Sequence, residues 1–208
     1  NYPSAPAGQS GFHQGDTACP IAAGTWASAY WSAQSAVTAA AVLNEGADRV
    51  YSLCRPPGHH AAAEVAGGFC FLNNSAIAAQ RLVEQGARVA ILDVDVHHGN
   101  GTQSIFYNRG DVLTVSIHRD PDTYYPFYWG YAGERGEGPG QGCNLNIPLA
   151  AATADDRYLD ALGGALAHIR AFGTTALVVA LGLDAYEQDP LQGLAVTTLS
   201  LIHISEPT

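Results

Sequence analysis

The sequence predicts an α/β fold with a mostly parallel central sheet flanked by helices. Three observations predict it. Short runs rich in Val, Ile and Leu recur at 89–96, 112–117 and 176–183, and they are apolar on both faces. Segments of helical character fall between them, the order of βαβ units with right-handed crossovers. Only 13% of the 208 residues are charged while 47% are apolar, a balance that suits strands buried on both sides within one domain of sizeable core.

Taken in order, residues 1–20 are rich in Gly, Pro, Ser and Gln and read as an irregular loop. Gly24–Asn44 is alanine-rich and helical, stopping at Gly46. Arg49–Leu53 is a short β-type run and Phe69–Leu72 another short apolar run, followed by a helix over Asn73–Gln85 that ends at Gly86. Val89–Val96 reads as a buried strand, Gln103–Tyr107 as about one helical turn, and Val112–Ile117 as a second buried strand. Asp120–Gly142 is a long loop, broken by Gly and Pro and crowded with aromatics. A helix is expected over Asp155–Phe172, with Thr153 as N-cap and Gly173 beyond its end. Ala176–Leu183 completes the set as a third continuous apolar strand. No internal repeat or low-complexity tract interrupts this order.

Composition narrows the function classes. The formal charge is -10, with only nine Lys and Arg, which argues against nucleic acid as a partner. An acidic field draws in cationic substrates, although such acidity equally serves solubility. Cys19, Cys54, Cys70 and Cys143 are scattered without a CxxC pair, so reduced thiols in a cytoplasmic protein are expected rather than a disulfide framework or a Cys-rich zinc module. No apolar run reaches the ~18 residues a membrane span needs. The chain begins at Asn1 and contains no Met, so a fragment at both ends is expected.

The polar residues gather where strands end, which is where open α/β sheets place their sites. The run at 49–53 leads into Arg55-Pro-Pro-Gly-His59-His60, and the strand at 89–96 carries Asp93, Asp95, His97, His98 and Asn100 at its exit. The strand at 112–117 ends in Ser116-Ile117-His118, and that at 176–183 in Leu183-Asp184. Asp93, Asp95 and His97 alternate with Val94 and Val96, so an extended segment sets the three ionisable groups on one side. Alone, a DxH at a strand end fits a solvated His–Asp pair. With Asp184 at a neighbouring exit, Asp95 and His97 make three ligands with an open position, as catalytic zinc requires. Pro-Pro-Gly before His59 and His60 is a rigid bend that can aim two imidazoles into one cleft for acid and base work.

RPPGHH (55–60), GGFCFLNN (67–74), ILDVDVHHGNGTQ (91–103), TVSIH (114–118) and ALGLDAYEQDP (180–190) resemble the histone deacetylase and acetylpolyamine amidohydrolase family, in its order and at its spacing, over roughly residues 20–195. DVDVHHGNGTQ, SLCRPPGHH, AFG and EQDP are most similar to the bacterial acetylpolyamine amidohydrolases. The resemblance implies a three-layer arginase/deacetylase-like fold, with residues 1–208 as one deacetylase-like catalytic domain. It implies Asp95, His97 and Asp184 as zinc ligands, with Fe2+ able to substitute. His59 and His60 would activate water and protonate the leaving amine, with Asp93 orienting His59 and Asn100 orienting His60. Asp93, Asp95, His97, Ser116 and Ile117 would form a structural monovalent-cation site, usually K+. Gly68, Phe69 and Tyr125 would wall a narrow substrate tunnel.

The implied activity is zinc-dependent hydrolysis of the acetyl amide of small cationic acetylated amines, with a homodimer as an assembly of the full-length protein. Protein acetyl-lysine deacetylation and non-catalytic binding of an acyl ligand are the alternatives. The distant arginase relatives hold two manganese ions with additional Asp ligands, which the single Asp184 does not supply. The family's late transition-state tyrosine lies in a Gly-Gly-Tyr motif that is absent from this sequence, and Ser200–Thr208 resembles no family segment there.

Overall fold

The computed structural model describes residues 1–205, so the last three residues of the Ser200–Thr208 stretch lie outside the described residues. The chain groups into two compact units, one formed by Asn1–Ala87 with Asn100–Ile105, the other by Arg88–Gly99 and the residues from Phe106 on.

The first unit is helical. It holds α1 (Pro6–Phe12), α2 (Thr25–Asn44), α3 (Asn74–Glu84) and all but the last residue of α4 (Asn100–Phe106). The α1 helix falls where composition suggests an irregular loop. Pro6 at its first position needs no N–H partner and its fixed φ suits a helix start. In α2 the buried Ala29, Ser32, Ala33, Ala36 and Ala40 form one stripe of small residues that lets α3 pack closely. The α3 helix begins as expected, with the Asn73 side chain accepting from the Ala76 N–H at 3.0 Å.

Arg49–Leu53 is not a strand. Val50, Tyr51 and Leu53 are exposed, and no neighbouring strand pairs with them among the described residues. A β-type composition makes a strand only where a ladder partner exists.

The second unit carries the sheet: β1 (Val89–Asp93), β2 (Val112–Arg119), β3 (Asn144–Leu149) and β4 (Ala176–Ala180), with α5 (Asp155–Ala171) and α6 (Thr198–Ser205). The order is β3-β2-β1-β4 and every pairing is parallel. Helix α5 lies against β2 and β3 and buries Tyr158, Leu162, Ala165 and Ile169, a stripe spaced four, three and four residues apart. These side chains pack on Leu92, Val94, Leu113, Val115 and Ile117 to form the core. Asp155 and Asp156 occupy the first turn of α5, where negative charge meets the positive end of the helix dipole.

The α/β expectation with a parallel sheet holds, with differences that include two strand ends, one helix cap and one additional strand. Strand β1 stops at Asp93, and Asp95–His97 lie in a bend beyond it. Strand β4 stops at Ala180 and is not buried on both faces, since Leu177 and Val179 are 40% and 41% exposed at the sheet edge. Thr153 does not cap α5. Ala154 holds that position, and the Thr153 hydroxyl donates back to the Ala150 carbonyl at 2.8 Å. Strand β3 is not expected from the sequence, because Asn144, Asn146 and Pro148 break the apolar pattern. Pro148 is tolerated on an outer strand, and both asparagines are satisfied, Asn144 by Thr114 and the Glu134 carbonyl, Asn146 by Tyr131 and Glu134.

Candidate functional site

Three candidate ligands converge in the sheet unit. Asp95 and His97 sit in the bend after β1, and Asp184 follows β4, the strand paired with β1. One ligand atom from each of Asp95, His97 and Asp184 lies within 4.8 Å of the others, a group that could hold a metal ion. His97 Nδ1 is 3.0 Å from an Asp95 oxygen and 3.0 Å from an Asp184 oxygen. The bend is pinned by its own backbone: the His97 N–H donates to Asp95 at 2.8 Å and the Val96 N–H to Asp184 at 2.9 Å. Val94 and Val96 remain buried and anchor the segment.

Two carboxylates held against one imidazole create an electrostatic need for positive charge. Burial pushes the His97 pKa down, but the hydrogen bonds to Asp184 and then Asp95 outweigh it and raise the pKa to about 9. A proton therefore fills this site when no ion does, and an ion must displace it. The sign follows: affinity for any divalent ion held here should fall about tenfold for each pH unit below about 9 and level off above it. Titrating zinc near pH 7 in buffers of different ionisation enthalpy should show about one proton released per ion. In the metal-free chain, the stabilisation from His97 is fully present below its unfolded value of 6.5 and is lost as pH rises through about 9.

Gly182 lies in the 180–190 motif with no role read for it, yet it packs against Asp95. A Cβ there would lie 2.5 Å from Asp95 Cγ and closer still to a carboxylate oxygen. Only glycine leaves room for that carboxylate. No sequence signal distinguishes it beyond its place two residues before Asp184.

Asp93 and Ser116 occupy the same rung of the β1–β2 ladder, with Ile117 next along β2. Asp93 is buried and accepts the Asp95 N–H at 3.2 Å. His118 Nε2–H donates to the Gly130 carbonyl at 2.9 Å, so its Nδ1 accepts from the Ser116 hydroxyl at 2.8 Å. That bond uses the serine hydrogen and leaves its lone pairs for an acceptor role. Burial lowers the His118 pKa to about 4, against the raising effect of the hydrogen bonds to Gly130 and Ser116, which keeps this ring neutral. Tyr125 lies edge-on to His97, with centroids 6.0 Å apart and planes at 73°.

The tandem histidines belong to the helical unit. His59 and His60 are both buried, with ring centroids 3.9 Å apart. His60 Nδ1–H donates to Asn100 Oδ1 at 2.7 Å, since an amide oxygen can only accept. That leaves Nε2 as the ring atom that can give or take a proton. The His59 carbonyl accepts the Thr102 N–H at 3.1 Å. Asn73 Nδ2 bridges the Ala61 carbonyl and Thr102 Oγ1. A Cβ on Gly58 would collide with the backbone of Leu72 and Asn73–Asn74, so glycine lets the histidine loop press onto the start of α3. Asn73 is support that the sequence reading missed, while Gly58 belongs to the bend it named, without this contact. In the same unit Gly68 and Phe69 both have positive φ, 51° and 67°, and Phe69 is 66% exposed. The Asp16 carboxylate holds this turn by accepting the Gly68 N–H at 2.9 Å.

The histone deacetylase domain matches residues 3–207. The chain belongs to the histone deacetylase family. Within it, the chain is 51% identical over 205 residues to acetylpolyamine amidohydrolase 1 of Pseudomonas aeruginosa, covering 98% of this chain and 59% of that protein. It is 52% identical over 190 residues to the acetylpolyamine amidohydrolase of Burkholderia pseudomallei, covering 91% and 56%. The crystal structure of an acetylpolyamine aminohydrolase from Burkholderia pseudomallei superimposes with a TM-score of 0.91 at 51% identity, over 93% of this chain and 56% of that one. The chain thus spans under three-fifths of these relatives. Among the described residues, no helix is long and apolar enough to cross a membrane.

Proposed function

We propose that the protein hydrolyses the acetyl amide of small cationic acetylated amines, acetylpolyamines, using one zinc-class ion on Asp95, His97 and Asp184. The observation that carries this reading is the convergence of those three ligand atoms within 4.8 Å. The donor set fits zinc, and two carboxylates make it hard enough for ferrous iron. A bound ion would polarise the acetyl carbonyl and bring the pKa of its water toward about 7. The two units are taken as parts of one catalytic domain, because the family match runs through both.

In the proposed reaction one water is added across the amide C–N bond. The hydroxyl goes to the acetyl carbon, the bond to nitrogen breaks, and the amine leaves with a proton. His59 and His60 carry those protons. Asn100, by holding the Nδ1 proton of His60, commits Nε2 to the transfer. A K+ ion on Asp93, Asp95, His97, Ser116 and Ile117 is proposed as structural, supported by the buried Asp93 carboxylate and by the way His118 uses the Ser116 hydroxyl hydrogen. Gly68, Phe69 and Tyr125 are proposed to line the substrate tunnel.

The acidic chain, with net charge -10, favours a substrate that keeps a free ammonium. Each close surface carboxylate would contribute about 1 kcal/mol, and less in salt. The test compares kcat/KM for acetylputrescine, acetylcadaverine and an acetyl-lysine peptide across ionic strength. The polyamines should be preferred by about tenfold or more at low salt, with the margin shrinking as salt rises. A tenfold preference for the peptide would replace this reading with protein deacetylation.

A further inference from the structure

Both carboxylate contacts of His97 are made through one ring atom, Nδ1. Rotation about its Cβ–Cγ bond would carry Nδ1 away from both Asp95 and Asp184. Ligating histidines are normally fixed by a partner outside the ligand set. One such contact here is a ring: Tyr124 stacks on His97, with centroids 5.0 Å apart and planes only 17° from parallel. The Arg119 guanidinium carbon lies 4.9 Å from the centre of the Tyr124 ring. Arg119 is itself anchored, its Nη1 donating to the Gly193 carbonyl at 3.0 Å. Gly193 closes the cluster, because a Cβ there would lie 2.9 Å from the Tyr124 hydroxyl oxygen and 3.2 Å from Cζ, and closer still to Val96 Cγ2.

Among the described residues, the Tyr124 hydroxyl is a buried oxygen without a hydrogen-bond partner. Tyr124 is therefore held by the shape of its surroundings and by its ring faces, not by its polar end. The contribution to His97 comes from the aromatic plane.

We infer that Arg119, Tyr124 and Gly193 form a positioning brace that fixes the His97 imidazole for metal binding, with the ring of Tyr124 as its working part. This inference rests on the reading of His97 as a metal ligand. It adds residues outside the proposed ligand and tunnel sets. Stacking permits small in-plane movement but blocks the ring flip that would break the ligand set. Loss of such outer support weakens metal affinity by roughly 10- to 100-fold.

The experiment measures the zinc dissociation constant by chelator competition on the purified protein, with no activity assay. Tyr124→Phe keeps the ring and should bind within about threefold of the parent. Tyr124→Leu removes it and should weaken binding by about 10- to 100-fold. Gly193→Ala, which pushes on the phenol end without removing any ring, should weaken binding in the same direction. It serves as the independent variant if Tyr124→Leu does not fold. Equal affinity for Tyr124→Leu and the parent overturns the brace, as does a Phe variant that loses as much as Leu, or parent-like affinity in Gly193→Ala. A parent protein that binds no zinc defeats the metal-site reading itself, a different result from a parent that binds and variants that bind equally.

Discussion

Replacing Gly182 with alanine is expected to weaken metal binding by roughly 100-fold or more while leaving the sheet intact. Gly182 has an ordinary negative or extended φ, so alanine brings no backbone strain. The added methyl instead lands 2.5 Å from Asp95 Cγ and 2.6 Å from its Cβ, inside any real contact distance. Asp95 must move, and the His97 N–H loses its 2.8 Å acceptor with it. Displacing a ligand should exceed the 10- to 100-fold loss typical of outer-shell changes, so zinc affinity should fall by roughly 100-fold or more. Chelator competition reads the affinity, and far-UV circular dichroism checks the fold. Affinity within about threefold of the parent would show that the Asp95 carboxylate is not part of the site.

The second large effect is expected at the tandem pair. His60→Ala should lower kcat by roughly 100-fold or more, the usual range for loss of a general acid or base. Metal content should not change, because His60 is not a ligand in this account. Asn100→Asp gives a finer check. It retains an acceptor for His60 Nδ1–H but adds a negative charge, which favours the protonated ring. The pH limb governed by His60 should therefore move to higher pH, where a purely structural role would change only stability. Loss of zinc together with activity in His60→Ala would place this histidine among the ligands.

The sheet was legible where composition and burial agree. The apolar runs that became β1 and β2 stand buried in the second unit, as their Val, Ile and Leu content requires. The candidate ligands were legible for a related reason: Asp and His at strand exits stand out against the valines that anchor them. The bend after Asp93 was not legible. Alternation of Asp95 and His97 with Val94 and Val96 suggested an extended segment, but convergence on Asp184 depends on hydrogen bonds from the Val96 and His97 amides. Strand β3 escaped notice because its asparagines are satisfied by Tyr131 and Glu134 in the preceding loop, a compensation the strand's own pattern does not contain. Arg49–Leu53 misled for the opposite reason, a β-type run whose strand partner does not exist among the described residues. The glycines at 58, 182 and 193 matter through what their missing Cβ atoms would strike, and that becomes visible only in three dimensions.

The most direct test of the metal centre is anomalous scattering from crystals of protein reconstituted with zinc, paired with elemental analysis of the same sample. One equivalent of zinc should appear among Asp95, His97 and Asp184, with ligand distances of about 2.0–2.2 Å. Less than about 0.1 equivalent after reconstitution, or a zinc peak held by other residues, would contradict the account.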